Sequence, residues 1–522
     1  MSMTVERVSL FSRGAGVTMH GLLSARVQCV RSPWWGLPKV AGATPNANRV
    51  VRVHNADRLV HGLRLAAATP LPLLRQVADA LVGEMCAGLE EEGGSDQLKM
   101  LPSYVENLPT GDEEGLFYAV DLGGTNFRVL RLHLGGKGQV LSQESKEIAI
   151  PRELMVGTGK DLFDFIANTL ATFVDTEDIL LDSKSNKHRE AGFAFSFPVR
   201  QTSVKSGNVI QWTKGFKIDD AIGKDIVKQF QDAISRSGHD VEISALVNDT
   251  VGTLAGGRYN FQEETMIGCI LGTGTNACYV ERADAVKKWK EALPKSGEMV
   301  INLEWGNFRS PWLPRTFADD EVDKESVNPG DQWFEKMVSG MYLGEIVRHM
   351  LLRLAEEATL FGDTVPEKLR EQQSLETKHV SKIHADISSE LQTVATVLHE
   401  VLRIHDTTLE QRRIVHSLCD MVGQRGGRLA AAGLYGILKK IGRAGPNKNG
   451  FALSRQKKTT VVAMDGGLYE HHHPYRKYME DALQELVGTN GPYEVFLRLQ
   501  NDGSGIGAAL LAASHSRHRQ TE

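Results

Sequence analysis

The sequence predicts an α/β protein of two related lobes, and three observations predict it. Short apolar strands alternate with helix-period segments from about residue 69 onward, the pattern of an α/β fold. A strand, a glycine turn and a second strand in YAVDLGGTNFRVLRL (118–132) return in MIGCILGTGTNACYVE (266–281), with LGGTN echoed as LGTGTN. The chain has 522 residues, 41% hydrophobic and 24% charged, ordinary globular values at a length that suggests more than one core.

Residues 69–90 place Leu71, Leu74, Val77, Leu81 and Met85 at helical spacing. KMLPSYVENLPTGDEEG is a Pro- and Gly-containing entry loop. Strands are expected at 117–121 and 128–134, then a helix in DLFDFIANTLATFV and a short strand in AGFAFSFPV that ends on proline. DIVKQFQDAISRSG reads as a helix, and VEISALVNDTVGTLAGGRY as a strand passing through a turn into a helix. After the second glycine turn, helices are expected over 333–357, 379–404 and 409–440. Two more glycine turns stand in TVVAMDGGLYE and LQNDGSGIGAALLAA.

Net charge is −5 and unevenly spread. Residues 1–50 hold Arg7, Arg13, Arg26, Arg31, Lys39 and Arg49 against one acid, Glu6. The remainder is therefore acidic, which disfavours nucleic acid as a partner. A basic, acid-poor start of this kind looks like an organelle transit peptide, plastid first, with a mitochondrial presequence or an untargeted basic tail as alternatives. SARVQCVRS resembles a plastid processing site and places cleavage near Cys29. The five cysteines are dispersed without CxxC spacing, against a disulfide framework or zinc site. No apolar run is long enough to span a membrane as a helix.

In DLGGTNFR, Gly123 and Gly124 permit a tight turn and close approach to an anion, and Thr125, Asn126 and Arg128 supply donors. Asp121 would repel phosphate unless a divalent cation lay between, which makes it an outer-sphere Mg²⁺ candidate. A plain hairpin closed by glycines is the alternative. Gly272 and Thr273 in the second turn could hold phosphate from another side, and Gly503 and Ser504 open an apolar helix whose N–H groups suit a polar ligand. Asp249, between an apolar strand and a Gly/Thr segment, is the candidate general base, with Asn248 beside it for hydroxyl recognition. A helix-capping Asp–Thr pair is the competing reading. Ser196, Thr213, Lys214, Glu304 and Glu335 sit among apolar or aromatic neighbours and read as a polyol-binding set, since sugar hydroxyls would satisfy such carboxylates. An exposed helix face is the alternative for Glu335. The consecutive His471, His472 and His473 are read as a solvated loop without metal.

Taken together, MLPSYV, DLGGTNFRVLR, FAFSFPV, QWTKGF, VNDTVGTLAG, LGTGTNACY, INLEWGNF, FEKMVSGMYLGEI, VVAMDGGLYE and NDGSGIGAA resemble the hexokinase family, in family order over residues 69–513. The wording is similar to the plant and green-algal, single-unit branch. The resemblance implies an actin-like ATPase fold of two RNase H-like lobes closing on sugar and ATP. It implies a transit peptide and linker over 1–60, mainly the small lobe over 69–262 and mainly the large lobe over 263–513.

It further implies a monomer that phosphorylates glucose, and also mannose and fructose, at O6, with ATP and Mg²⁺ and no nucleic-acid partner. By motif, Asp249 falls on the general base; Ser196, Thr213, Lys214, Asn248, Asn276, Glu304 and Glu335 fall on sugar-contacting positions. Asp121, Gly123, Gly124, Thr125, Asn126, Arg128, Gly272, Thr273, Gly503 and Ser504 fall on the nucleotide side. A hexokinase-like sugar sensor without catalysis is the rival reading, and a mechanical ATPase of the same fold the more distant one.

Overall fold

The computed structural model describes residues 45–124, 126–180, 188–212, 215–261, 264–444, 457–489 and 491–516. The expected cleavage site near Cys29 lies outside them. Residues from Val51 onward form one compact unit. Its strands, in chain order, are β1 (Leu101–Pro102), β2 (Glu114–Leu122), β3 (Asn126–Gly135), β4 (Val140–Ala149) and β5 (Arg189–Phe195). There follow β6 (Val199–Ser203), β7 (Ser206–Val209), β8 (Val241–Val247), β9 (Thr265–Leu271) and β10 (Thr275–Arg282). The last are β11 (Glu298–Asn302), β12 (Lys458–Asp465) and β13 (Tyr493–Leu499).

Two mixed sheets carry the fold, in strand orders β4-β3-β2-β5-β8 and β1-β11-β10-β9-β12-β13. In the first, β2–β5 and β5–β8 are parallel while β2–β3–β4 is an antiparallel meander. In the second, β9 pairs antiparallel with β10 and parallel with β12. Central strands are apolar on both faces because helices cover both. Tyr118, Val120 and Leu122 of β2 face one core with Phe163, Phe193 and Phe230, whereas Phe117 and Ala119 belong to the other core.

The sheets are not two consecutive halves of the chain. Strand β1 joins the C-terminal sheet beside β11, and helix Leu71–Glu90 packs on helix Leu409–Lys440. Conversely, the last helix, Gly503–Ser514, lies across β2, β5 and β8 of the first sheet and against helix Asp249–Phe261.

Three expectations need correction. The first described element, helix Pro45–Ala66, lies upstream of residue 69; its sequence is polar on average, and among its described side chains Ala56 and Val60 are buried with Leu59 and Leu63 partly so. The expected helix over 333–357 breaks into Trp333–Val338 and Leu343–Glu357. The cause is tertiary: Gly340 N–H donates to Gly272 O at 2.8 Å and Met341 N–H to Thr273 O at 3.0 Å. The helix over 379–404 likewise breaks into Thr377–His384 and Gln392–Glu400. Asp386 accepts from Ser388 N–H at 3.0 Å and Val394 N–H at 3.1 Å, and so caps the second piece. Among the described residues no helix is long and apolar enough to cross a membrane.

Candidate active site

The parallel strands β2, β5 and β8 end side by side, the position at which open α/β sheets bind ligands. Ser196 follows β5, and its N–H donates to Leu122 O at 3.1 Å, tying the ends of β5 and β2 together. Asn248 follows β8 and caps helix Asp249–Phe261: its Oδ1 accepts from Thr250 N–H at 3.0 Å and from Thr250 Oγ1 at 2.6 Å. Asp249 Oδ1 also accepts from Thr250 N–H, at 2.8 Å. The cap thus comes from Asn248, one residue before the expected Asp–Thr pair, and Asp249 stands half-buried at the head of the helix.

The hairpin β9–β10 gathers the second group. Glu335 is half-buried rather than on an exposed helix face, and its Oε2 accepts from Thr275 N–H at 2.9 Å. The approach is possible because residue 274 is glycine; a Cβ there would lie 2.6 Å from that oxygen. Glu304 Oε1 accepts from Asn276 Nδ2 at 3.1 Å and from Asn302 Nδ2 at 2.9 Å. The buried Trp305 anchors this loop by donating to Thr275 Oγ1 at 3.1 Å. A small cavity is lined by Phe195, Phe197, Leu246 and Asn248 from the first sheet's strand ends and by Leu101 and Asn302 from the second, so Asn248 and Asn302 share it.

The nucleotide-side residues converge on the start of helix Gly503–Ser514. Ser504 Oγ donates to Asp121 Oδ2 at 2.5 Å. Arg128 forms a close ion pair with Asp502 and a longer one, 3.7 Å, with Glu147. Asn126 Nδ2 donates to Glu147 Oε1 at 2.5 Å. Asp465 ends β12 and accepts from Gly466 N–H at 2.6 Å and Gly503 N–H at 3.0 Å. Burial, with Asp502 and Asp121 nearby, pushes its carboxyl up to about 6 despite those two donors.

The second glycine turn is linked to this cluster through Gly466. Its φ is +105°, and a Cβ there would meet Leu271 O at 2.5 Å, so the two turns lie backbone to backbone. Beside them opens a cavity of about 810 Å³ lined by Thr273, Met341, Gly467 and Leu468, with Lys378 and Ser381 opposite. A larger cavity, about 1070 Å³ and lined by Val105, Arg258, Glu298 and His515, contains none of the predicted site residues.

Thr125, Thr213 and Lys214 lie outside the described residues. Gly123 and Gly124 sit in the bend between β2 and β3, where the space beside Gly123 is open. Sequence reasoning missed Asn302, Asp465 and Asp502, although each stands inside a quoted motif and Asn302 and Asp502 lie within two residues of a predicted one.

The histidine loop is a correction. Residues 467–471 and 473–487 are helical, and His472 is buried with Nε2 3.1 Å from His384 Nδ1. Burial, with His384 and His473 alongside, holds its pKa down at about 3, so it packs as a neutral ring.

Two sheets whose strand ends face a shared crevice, with paired glycine turns and a set of hydrogen-bonded carboxylates, define the actin-like class of two-lobed sugar kinases. Family models described as hexokinase match residues 61–259 and 266–514. Hexokinase-1 of Spinacia oleracea is 57% identical over 455 residues, 87% of this chain and 90% of that protein. Hexokinase-2 of Oryza sativa subsp. japonica is 53% identical over 468 residues, 90% of this chain and 93% of that protein. The solved hexokinase of Schistosoma mansoni complexed with glucose superposes with a TM-score of 0.76 at 35% identity, covering 88% of this chain and 99% of that one. The chain belongs to the hexokinase family.

Proposed function

We propose that this hexokinase transfers the ATP γ-phosphoryl group to O6 of a hexose, with Asp249 taking the proton from that hydroxyl. One observation carries the reading. The half-buried Asp249 stands at the carboxyl end of β8, and its neighbour Asn248 shares a cavity with Asn302, which grips Glu304. Ser196, Asn248, Glu304 and Glu335 hold the hexose, with Thr213 and Lys214 assigned by motif. Asn276, also expected to contact the sugar, has its carboxamide occupied by Asn302, Glu304 and two backbone N–H groups and acts through Glu304. Carboxylates already ordered by N–H donors accept sugar hydroxyls without reorganising.

The phosphate tail of ATP is assigned to the bend at Gly123 and Gly124, to Thr273 in the second glycine turn, and to Ser504 at the start of the last helix. The nucleoside is assigned to the 810 Å³ cavity beside Thr273. Asp121, Asp465 and Asp502 form an acidic group that suits a divalent cation carried by the nucleotide, since positive charge there offsets the burial and the neighbouring Asp502 and Asp121 that raise Asp465. Mg²⁺ when bound would neutralise charge on the transferring phosphoryl group. Arg128 adds a fixed positive charge on the same side. Asp249→Ala is expected to lower kcat by at least about 10²-fold, the low end for general-base catalysis. A coupled assay on purified protein reads this directly, and near-normal turnover removes Asp249 from the role.

A further inference from the structure

Asn302 closes strand β11 and is buried, with its carboxamide used on both sides. Its Nδ2 donates to Glu304 Oε1 at 2.9 Å, and its Oδ1 accepts from Asn276 Nδ2 at 2.8 Å. Asn276 Nδ2 donates to the same Glu304 oxygen at 3.1 Å, and Asn276 Oδ1 accepts from the backbone N–H groups of Ala277 (2.7 Å) and Glu304 (3.1 Å). A carboxamide offers two N–H donors and one oxygen with two lone pairs. These contacts therefore fill Asn276.

Direction follows from the backbone. Two fixed N–H donors force the oxygen of Asn276 toward them, so its NH₂ must face Asn302 and Glu304. Asn302 must then present oxygen to Asn276 and nitrogen to the carboxylate. Glu304 itself stands in the left-handed region, φ 56° and ψ 49°, a conformation that persists in a residue with a side chain only where surroundings hold it.

We infer that Asn302 is a positioning residue of the hexose site, orienting the Glu304 carboxylate and thereby tuning which hexoses are accepted. This rests on the reading that Glu304 binds the sugar. The amide chain fixes one carboxylate oxygen with two donors, so the direction in which the carboxylate meets a hydroxyl depends on Asn302 as well as on Glu304.

The test uses the full chain carrying Asn302→Ala, Asn302→Asp, Glu304→Gln or the Ala/Gln double substitution. Asn302→Asp keeps the shape, should the alanine variant fail to fold, and sets a second negative charge beside Glu304. Asn302→Ala is expected to raise the KM for glucose by about tenfold, within the range for members of one hydrogen-bond network, and to change KM for ATP by no more than about twofold. Asn302→Asp is expected to raise the glucose KM further. The relative kcat/KM for glucose, mannose and fructose should change, whereas a simple folding defect scales all three alike.

In the Glu304→Gln background, Asn302→Ala should add no more than about a twofold effect, because the group it positions has already been altered. An unchanged glucose KM in both Asn302 variants overturns the inference, as does an Asn302→Ala effect that multiplies in full with Glu304→Gln. An unchanged glucose KM in Glu304→Gln alone overturns instead the reading of Glu304 as a hexose ligand.

Discussion

Glu304 and Glu335 receive N–H donors from Asn276, Asn302 and the backbone of Thr275, whereas on the phosphate side burial, with Asp502 and Asp121 nearby, makes Asp465 costlier to ionise. Both groups are carboxylates at strand ends or helix starts, yet the first is held by N–H donors, whereas the second sets three carboxylates beside the cation Arg128 even though Asp465 accepts two N–H groups and Asp121 a hydroxyl. The difference matches the two substrates. A neutral polyol offers only hydroxyl donors, so its acceptors must be charged and already oriented. A nucleotide tail arrives with a cation, and a site that stays acidic without it gains most from binding it.

Removing charge on each side should therefore give distinct signatures. Glu335→Gln keeps the shape but removes a charged acceptor, and the glucose KM is expected to rise roughly ten- to a hundredfold. Steady-state assays with the ATP KM held as control read this, and a change confined to ATP would invert the comparison. Ser504→Ala removes the hydroxyl that Asp121 accepts; the expected result is a rise of roughly three- to tenfold in the ATP KM with the glucose KM unmoved. Equal effects on both substrates would show that the helix start at Gly503 is not specific to the phosphate side.

The smallest effect concerns stability. The Asp465 carboxyl titrates near 6 in the fold against an ordinary 3.8. A raised carboxyl is harder to ionise in the folded state, so it subtracts stability as pH rises from about 4 through 6, and the cost is complete above that. A carboxyl raised that far corresponds to about 3 kcal/mol at most. Asp465→Asn should recover part of this and lose about 1–2 kcal/mol where its NH₂ faces an N–H donor. The expected gain is about 1–2 °C in Tm at pH 8, shrinking at pH 5. A gain that grows as pH falls would contradict the assignment.

The glycine turns were legible in the sequence because their residues are adjacent and their backbone demands are local. Asp249, Glu304 and Glu335 were legible as carboxylates among apolar neighbours. What their adjacency did not reveal is tertiary. Asn302 gains its role from a strand partner, β10, that brings Asn276 beside it. Asp465 gains its role from the arrival of Gly503 N–H, thirty-eight positions along the chain. The helix break at Ser339–Tyr342 contains Gly340, but it is fixed by two bonds to Gly272 and Thr273 that only the fold brings there. His472 looked solvated because three histidines in a row are polar, yet helix ends on both sides turn the middle ring inward.

The central claim is that one set of groups holds the hexose and a different one, Asp249, reacts with it. Calorimetric titration of glucose into Asp249→Ala, beside its turnover, tests this most directly. The account predicts a glucose Kd within about threefold of the unmodified protein, a cost below that of one ordinary hydrogen bond, while kcat falls at least about 10²-fold. A loss of glucose binding that matches the loss of turnover would contradict it.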